Sequence, residues 1–384
     1  MADLDALAPL LTPDFANPLR RMEELASNER LVFLFGAGTS YCEDMPLMAA
    51  LTESIARSAS TDSASKELLR AVEASFGKGV GNIEDYLSEI GDHIAVLERR
   101  DLRLGKASKL EIGGTEYDAS ALRGCLETLK AAIAREIEDC PIPNNLEHHR
   151  KLIRAIHQAK RPGKRLPRVV DYLLLNYDTL IEEALDLEKI PYADGLQGGS
   201  SGWWNPMGAF QAGNIEARVL KLHGSIDWRL GDGDPMPRRA SSRLQTHLKF
   251  GEKVLIWPAS TKYAESQRDP FAQLLSRARV SMTPAEGEEA VLFICGYGFG
   301  DEHINAEIQS AMHSTNGRLT VAVLTGELEP NGTLANWRAD QTLSPNLLVF
   351  TKHGFFHGDT EIKSPDELPW WKFEVMSRLL AGER

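Results

Sequence analysis

The sequence predicts an α/β fold in which a doubly wound parallel sheet carries an inserted helical subdomain. Three observations predict it. A short apolar run at residues 31–35 stops abruptly at a glycine turn. Residues 46–160 then show helical periodicity almost throughout, without a comparable strand. From residue 169 to residue 350, apolar runs alternate with helical patterns, which indicates parallel strands covered by helices on both faces.

This order of patterns divides the chain into segments. The expected segments are an N-terminal helical extension (1–29), a Rossmann-like sheet domain (30–45 and 168–360), a helical insertion (46–167) and a C-terminal helix (361–384). The amphipathic extension has two possible places to pack, its own domain or a neighbouring subunit. Residues 110–117 are typical of a small hairpin.

Composition and charge narrow the function classes. The chain has 384 residues, of which 42% are hydrophobic and 26% charged, a balance typical of globular proteins. Its net charge of −12 repels bare nucleic acid, so we expect no direct nucleic-acid binding. The basic run at 160–168 contains Pro and Gly, which favours a solvated connector over a nucleic-acid patch.

The cysteines and apolar runs predict the compartment. The four cysteines are scattered without any Cys-x-x-Cys pair, which argues against a disulfide framework and a zinc ribbon. The N-terminus lacks the apolar core of a signal peptide, and no apolar run approaches membrane-spanning length. We therefore expect a cytoplasmic protein without a membrane segment.

The first strand and its turn suggest a nucleotide site. Leu31–Phe35 is too short for a typical helix and suits a buried parallel strand. Gly36 and Gly38 permit a tight turn and leave backbone N–H groups open to a ligand. Helical spacing from Met45 to Ile55 predicts a helix N-terminus nearby, which favours a pyrophosphate. An ordinary tight turn is the alternative.

Further strands place other polar turns beside this one. The predicted strands are Asp171–Leu175, Arg218–Leu222, Lys253–Trp257, Ala290–Cys295, Leu319–Leu324 and Asn346–Phe350, with helices at Thr179–Leu187 and Asp301–Met312. Ligands of doubly wound sheets bind beyond the carboxyl ends of the strands. The turns at 36–40, 176–178, 223–228 and 296–301 are therefore expected to converge on one crevice.

Three side chains in these turns are candidates for catalysis. Asn176 and Asp178 lie two residues apart at a strand end, so both can point the same way. Asp178 is equally suited to cap the following helix. His223 ends a buried strand, and the near-neutral pKa of histidine suits a general base.

The last glycine-rich turn has a functional and a structural interpretation. Gly296 and Gly298 leave room for an adenosine moiety, with Asp301 or Asn305 near its ribose or holding the loop. Asp301 also suits a helix cap, and both interpretations can hold together.

Other histidines and the tryptophan pairs are weaker candidates. The pairs His353/His357 and His148/His149 lack further ligands in a recognisable zinc arrangement, so we expect no metal. Paired tryptophans at 203–204 and 370–371 are more typical of a core or an interface.

The four turns, in this order, resemble the sirtuin superfamily, and specifically its bacterial sirtuin-like branch. The motifs are Gly-Ala-Gly-Thr-Ser at 36–40, Asn-Tyr-Asp at 176–178, Lys-Leu-His-Gly-Ser-Ile-Asp-Trp at 221–228 and Gly-Tyr-Gly-Phe-Gly-Asp at 296–301. The resemblance covers about residues 30–45 and 168–355.

The resemblance implies roles for these residues around NAD+. Asn176 and Asp178 are expected near the nicotinamide ribose, with His223 as the catalytic base. The expected NAD+ contacts are Gly36, Ala37, Gly38, Thr39, Ser40, Gly224, Gly296, Gly298 and Asp301. Such a site cleaves the nicotinamide–ribose bond to give ADP-ribose and nicotinamide.

Two departures from the protein deacylases of this superfamily favour hydrolysis of NAD+ itself. The four-cysteine zinc module is missing, and Cys42–Met48 replaces a Pro-Asp-Phe-Arg-like segment. The helical insertion resembles that of NAD hydrolases in anti-phage defence by abortive infection. The resemblance further implies a homo-oligomer and a separately encoded HerA-like ATPase partner. An NAD-dependent deacylase and a non-catalytic NAD or ADP-ribose sensor are the alternatives.

Overall fold

The computed structural model describes residues 5–58, 61–77, 80–142, 144–158, 169–211, 213–231, 233–240, 250–255 and 266–383. The basic run at 160–168 and Trp257 lie outside these residues. The chain divides into two compact units. The sheet unit comprises Met1–Asp44, Ile142–Val254 and Asp269–Arg384, and the helical unit comprises Met45–Pro141 with Leu255–Arg268.

The strands of both units are numbered in chain order. They are β1 (Leu31–Phe35), β2 (Leu110–Ile112), β3 (Thr115–Tyr117), β4 (Val170–Leu174), β5 (Tyr192–Ala193), β6 (Leu196–Gln197), β7 (Trp203–Trp204), β8 (Ala217–Lys221), β9 (Gly224–Gly231), β10 (Asp234–Arg239), β11 (Phe250–Leu255), β12 (Ala290–Cys295), β13 (Leu319–Leu324), β14 (Leu347–Thr351), β15 (Gly354–His357) and β16 (Thr360–Lys363).

The α-helices of the described residues are numbered likewise. They are α1 (Ala16–Leu25), α2 (Met48–Arg57), α3 (Ser63–Phe76), α4 (Ile83–Leu104), α5 (Ala119–Glu138), α6 (Glu147–Ile153), α7 (Leu180–Leu187), α8 (Pro206–Phe210), α9 (Phe271–Met282), α10 (Glu302–Ser314), α11 (Gly332–Ala339) and α12 (Phe373–Ala381).

The main sheet has nine strands in the order β16-β15-β14-β13-β12-β1-β4-β8-β5. Strand β1 lies between β12 and β4 and is parallel to both. From β1 the chain adds β4 and β8 on one side, and it later adds β12, β13 and β14 on the other. The strand order therefore reverses between β1 and β12. This topology confirms the predicted Rossmann-like, doubly wound fold.

The central strands are buried because their residues are apolar on both faces. All five residues of β1 are buried. The Phe33 ring stacks on Tyr172 of β4 and on Phe293 of β12, each with ring centroids 5.5 Å apart. Aromatic pairs of this kind stabilise a fold by about 0.5–1.5 kcal/mol beyond their area burial. These contacts fix the strand that carries the glycine turn.

The N-terminal extension packs on its own sheet unit. Leu7, Leu10 and Phe15 belong to the same apolar core as β1. Phe15 meets the edge of Trp370 with ring centroids 5.3 Å apart. Of the two packing alternatives, the structure therefore shows contact with the chain's own domain.

One predicted strand lies in a different sheet. Residues 253–257 were expected in the parallel sheet, and this prediction is wrong, because β11 lies in a five-stranded sheet of order β11-β9-β10-β7-β6. In this second sheet β10 pairs antiparallel with both β9 and β7. The strands of the second sheet are only partly buried, so their sequences lack the continuous apolar runs of the parallel strands. The other predicted strands lie within one residue of the observed ones.

The helical unit contains α2 to α5 and the predicted hairpin, which forms as β2 and β3. Helix α4 begins at a capping box in which Asn82 and Asp85 exchange side-chain-to-backbone hydrogen bonds. The first segment of the unit ends at Pro141, whereas the insertion was expected to run to residue 167, and Leu255–Arg268 also belong to the unit. Helix α6 belongs to the sheet unit because Leu152 and Ile153 are buried in the core of that unit.

The C-terminal segment holds more than the helix expected over 361–384. Strand β15 pairs antiparallel with β14 and β16 pairs antiparallel with β15, and α12 then packs into the same core. Among the described residues, the helices are all too short or too polar to cross a membrane.

Candidate functional site

The two glycine-rich turns touch each other where the strand order reverses. The Gly36 amide donates to the carbonyl of Cys295, and the Gly38 amide donates to that of Gly296. A Cβ on Gly36 would lie 2.5 Å from the Gly296 oxygen, and one on Gly38 would lie 2.7 Å from the Gly296 Cα. The backbone of Gly296 has a φ of +66°. The contact between the turns after β1 and β12 therefore requires glycine.

The amides of the first turn are largely occupied. Those of Gly36, Gly38, Thr39 and Ser40 all donate to backbone carbonyls. Two 3₁₀ turns, Ala37–Thr39 and Tyr41–Glu43, lie between β1 and the helix that was expected over Met45–Ile55. Helix α2 begins only at Met48 and belongs to the helical unit. The turn therefore offers a ligand a surface clear of side chains rather than a row of free amides.

A buried hydrogen-bond network joins the turn after β1 to the turn after β4. The Asn176 amide nitrogen donates to Ser40 Oγ at 2.7 Å and to Thr39 Oγ1 at 3.2 Å. Ser40 Oγ in turn donates to Asp178 Oδ2 at 2.7 Å. Ser40 therefore links the two side chains that sequence analysis selected at the end of β4.

Asp178 has a hydrogen-bond partner on each of its two carboxylate oxygens. Its Oδ1 accepts from the Leu180 amide at 3.2 Å at the start of α7, while Oδ2 accepts from Ser40. Asn176 can accept a further hydrogen bond, because its Oδ1 is buried without a hydrogen-bond partner among the described residues. A buried amide oxygen of this kind is a ready acceptor for a ligand hydroxyl or a water molecule.

His223 follows β8 at the same edge of the sheet and is 4% exposed. The next residue, Gly224, has a φ of +84°, which lets the chain turn at once into β9. The His223 ring lies 5.8 Å from the ring of His303, which is in α10 after the turn of β12. Since β1 and β4 separate β8 from β12, the loop after β12 reaches across the carboxyl ends of both strands.

A buried cation supports the turn that carries Asn176 and Asp178. Lys221, the last residue of β8, has no exposed surface. Its Nζ donates to the Asp178 carbonyl and lies 3.4 Å from Glu182 Oε1 in α7. Burial raises the pKa of Glu182 to about 7, against the opposing effect of the Lys221 ammonium. Lys221 thus connects the end of β8 with the turn after β4.

Hydrogen bonds within the loop after β12, and from the loop to Asn305, hold this loop in place. The Tyr297 hydroxyl donates to Asn305 Oδ1 at 2.9 Å, and Asn305 Nδ2 donates to the Phe299 carbonyl at 2.8 Å. The Asp301 amide donates to the Tyr297 hydroxyl at 3.3 Å. A Cβ on Gly298 would meet open space. Asn305 therefore holds the loop, and local packing gives no reason for glycine at position 298.

The four predicted turns thus lie at one edge of the sheet, and hydrogen bonds join all four, because the Ile226 amide also donates to the Tyr177 carbonyl at 3.0 Å. Sequence analysis missed His303, Lys221 and Glu182. The signal for Lys221 was a lysine that follows the apolar pair Val219 and Leu220 at the end of a strand, directly before Leu222 and His223. No sequence pattern pointed to His303, because only the folded structure brings it close to His223.

The histidines set aside as metal ligands have different surroundings. His353 Nδ1 lies 3.1 Å from the Ser364 carbonyl, and His357 Nε2 lies 2.9 Å from that of Pro345. His149, in contrast, lies with Cys42 and Glu43 in a cluster whose ligand atoms are all within 4.8 Å of one another. No sequence pattern indicated this cluster, because His149 is far from the other two residues along the chain.

A cavity of about 790 Å³ opens at the opposite ends of the strands. Its lining includes Asp171 at the start of β4 and Arg218 at the start of β8, which form an ion pair at 2.8 Å. Ligands of doubly wound sheets bind at the carboxyl ends instead. The polar turns at that edge are therefore the candidate site.

Comparison with known proteins gives one family match. Residues 172–345 match the family model described as SIR2-like domain. The matched stretch contains Asn176, Asp178, His223 and the loop at 296–301, and it begins after the first glycine turn. The match supports a sirtuin-like chain, and such domains are typically NAD-dependent enzymes. No curated protein matches the chain.

Proposed function

We propose that this protein is an NAD+ glycohydrolase, which cleaves the nicotinamide–ribose bond with water. The observation that carries the proposal is the buried network of Ser40, Asn176 and Asp178 beside His223. These groups lie at the carboxyl ends of adjacent parallel strands, where doubly wound sheets bind nucleotides.

Each of the three catalytic candidates has a role in this reaction. The bond from the ribose C1′ to the pyridinium nitrogen breaks, its electron pair goes to the nitrogen, and neutral nicotinamide leaves. Water forms the new C–O bond through an oxocarbenium-like centre, and His223 accepts the proton that the water loses. Asn176 Oδ1 orients the water or a ribose hydroxyl. Asp178 stabilises the positive charge on the sugar and fixes Ser40.

The glycine turns hold the remainder of NAD+ in this proposal. Gly36 and Gly38 admit the pyrophosphate close to the backbone, and Gly298 leaves room for the adenosine end. The proposed binding set is Gly36, Ala37, Gly38, Thr39, Ser40, Gly224, Gly296, Gly298 and Asp301. Open space beside Gly298 supports its place in this set.

We further propose that the activity depletes cytoplasmic NAD+ in anti-phage defence. Control by assembly is part of this proposal, with a homo-oligomer and a HerA-like ATPase as partner. The basis is the resemblance of the four turns and of the helical insertion. Light scattering of the purified chain, and co-purification with such an ATPase, test the two parts separately.

The enzymatic proposal is tested by NAD+ consumption, alone and with the ATPase partner. Asn176→Ala and His223→Ala are expected to abolish nicotinamide release. Asn17→Ala and His313→Ala are the matched controls, since both residues are exposed on helices away from the strand ends. NAD+ binding by His223→Ala distinguishes lost catalysis from lost binding.

Two results would contradict the proposed hydrolase activity and indicate another function. Nicotinamide release that requires an acyl-lysine peptide would identify a deacylase. NAD+ or ADP-ribose binding without cleavage under every condition would identify a sensor.

A further inference from the structure

A cluster outside the proposed catalytic set lies just beyond the first glycine turn. Cys42 and Glu43 are in the 3₁₀ turn that follows Ser40, and His149 is in α6. The Cys42 Sγ, a Glu43 carboxylate oxygen and a His149 ring nitrogen all lie within 4.8 Å of one another. The Glu43 Oε1 and the His149 Nδ1 are 4.0 Å apart. All three residues belong to the sheet unit.

The polar atoms of this cluster are buried without partners. Glu43 and His149 each have 0% exposed surface. Glu43 Oε1 and both ring nitrogens of His149 have no hydrogen-bond partner within the part of the chain that the structure describes. Buried polar groups in native proteins are nearly always satisfied, so we expect a further group that contacts Glu43 Oε1 and one ring nitrogen of His149.

The surrounding residues hold the three side chains in place. Glu43 Oε2 accepts from the Asn144 amide at 3.2 Å, and Asn144 Nδ2 donates to the Cys42 carbonyl at 2.7 Å. The His149 ring packs on Phe373 with centroids 4.6 Å apart. The Cys42 thiol donates a weak hydrogen bond to the Thr39 carbonyl, outside the cluster, at 3.5 Å. These contacts orient the three side chains, but Glu43 Oε1 and the ring nitrogens of His149 still lack hydrogen bonds among the described residues.

The ligand types of the cluster suit a divalent cation. The Cys42 thiol would release its proton to solvent as a metal–sulfur bond forms. One thiolate and one carboxylate then neutralise the two positive charges.

We infer that Cys42, Glu43 and His149 form a binding site for a divalent metal ion of the zinc class. Thiolate and imidazole ligands select zinc over magnesium and calcium, which prefer oxygen. A tetrahedral zinc ion places its ligand atoms about 3.3–3.7 Å apart, so the cluster closes by about 1 Å on binding. The fourth position is left to water. The ion ties the segment after Ser40 to α6 and takes no part in the proposed cleavage.

The metal content of the purified full-length chain tests this inference. The protein is prepared without a polyhistidine tag and measured by mass spectrometry of the metal. We expect about one zinc per chain in the wild type. Cys42→Ser and His149→Ala are expected to lose it, and Cys125→Ser is the control, since Cys125 is a buried free cysteine of the helical unit.

Cobalt substitution keeps the test independent of how well the variants fold. Wild type loaded with Co²⁺ is expected to show a thiolate-to-cobalt charge-transfer band, which Cys42→Ser lacks. A wild type that holds no zinc and shows no such band after incubation with either ion overturns the inference. Water is then the occupant of the cluster. Neither readout depends on NAD+, so failure here leaves the proposed hydrolase untouched.

Discussion

The rings of His223 and His303 lie 5.8 Å apart and are tilted by 34°, although β8 and β12 are separated by two strands of the sheet. Neighbouring strands are about 4.8 Å apart, so β8 and β12 are about 14 Å apart. The loop after β12 and the start of α10 therefore extend over the carboxyl ends of β1 and β4. This contact encloses the edge that carries Asn176 and Asp178.

The contact predicts unequal roles for the two histidines. His303→Ala removes a neighbour of the base and leaves the base itself, so kcat/KM for NAD+ is expected to fall about 10-fold. His223→Ala removes the base and is expected to lower it by about 10²–10⁴-fold. Steady-state nicotinamide release measures both. Equal losses in the two variants would contradict the assignment of His223 as the base.

The hydrogen bonds of the Ser40 hydroxyl between the two turns predict that its removal lowers both activity and stability. Ser40→Ala removes a hydrogen-bond acceptor of the Asn176 amide and the hydroxyl that donates to Asp178. The hydrogen bonds that position these two catalytic candidates relative to each other are then lost. We expect kcat to fall at least about 10-fold and the free energy of unfolding to fall by about 1–3 kcal/mol. Ser75→Ala is the control, because the Ser75 hydroxyl bonds only to the Val72 carbonyl in its own helix. Full activity in Ser40→Ala would remove this network from the mechanism.

The Lys221–Glu182 pair predicts a non-additive effect on stability. Lys221→Met leaves the Glu182 carboxylate and the Asp178 carbonyl without their buried donor, which is expected to cost about 3–5 kcal/mol. The double variant with Glu182→Leu removes the uncompensated carboxylate as well, so we expect it to be more stable than Lys221→Met alone. Urea unfolding measures both variants. A double variant less stable than the single one would show that Glu182 is stabilised without Lys221.

Buried His157 predicts a pH dependence of stability. Burial lowers its pKa from 6.5 to about 4, and its Nε2 lies 3.0 Å from the Tyr172 hydroxyl. The unfolded chain therefore binds the proton first as the pH falls, so this stability is complete above pH 6.5 and is lost between pH 6.5 and pH 4. The loss is on the order of 3 kcal/mol.

A variant isolates this contribution. His157→Gln keeps a polar partner for Tyr172 but cannot titrate, so its unfolding free energy should fall less steeply over the same window. Urea unfolding at several pH values provides the comparison. Identical slopes for the variant and the wild type would assign the effect to another group.

The parallel sheet could be predicted because its strands are continuous apolar runs. Leu31–Phe35 and Ala290–Cys295 are observed at the predicted residues. The second sheet could not, since β9 and β10 are half-buried and their few apolar residues resemble a loop. The expected end of the helical insertion also differs from the observed one, because the helical pattern of α6 does not indicate which core that helix joins.

The candidate site was predictable to the extent that its residues end strands. Asn176, Asp178 and His223 follow β4 and β8 directly, and parallel strands bring such residues to one edge. His303 lies within a helix, and its approach to His223 depends on the path of the preceding loop. The sequence also did not reveal that the turn amides are occupied: those of Gly36 and Gly38 donate to carbonyls at the carboxyl end of β12, and those of Thr39 and Ser40 donate within their own turn.

The most direct test of the central proposal is hydrolysis of NAD+ in ¹⁸O-labelled water, without any peptide, alone and with the ATPase partner. The account predicts equal amounts of nicotinamide and ADP-ribose, with one ¹⁸O atom in each ADP-ribose, and neither product from His223→Ala. Intact NAD+ under both conditions, with the nucleotide still bound to the wild-type protein, would contradict the hydrolase and leave a sensor.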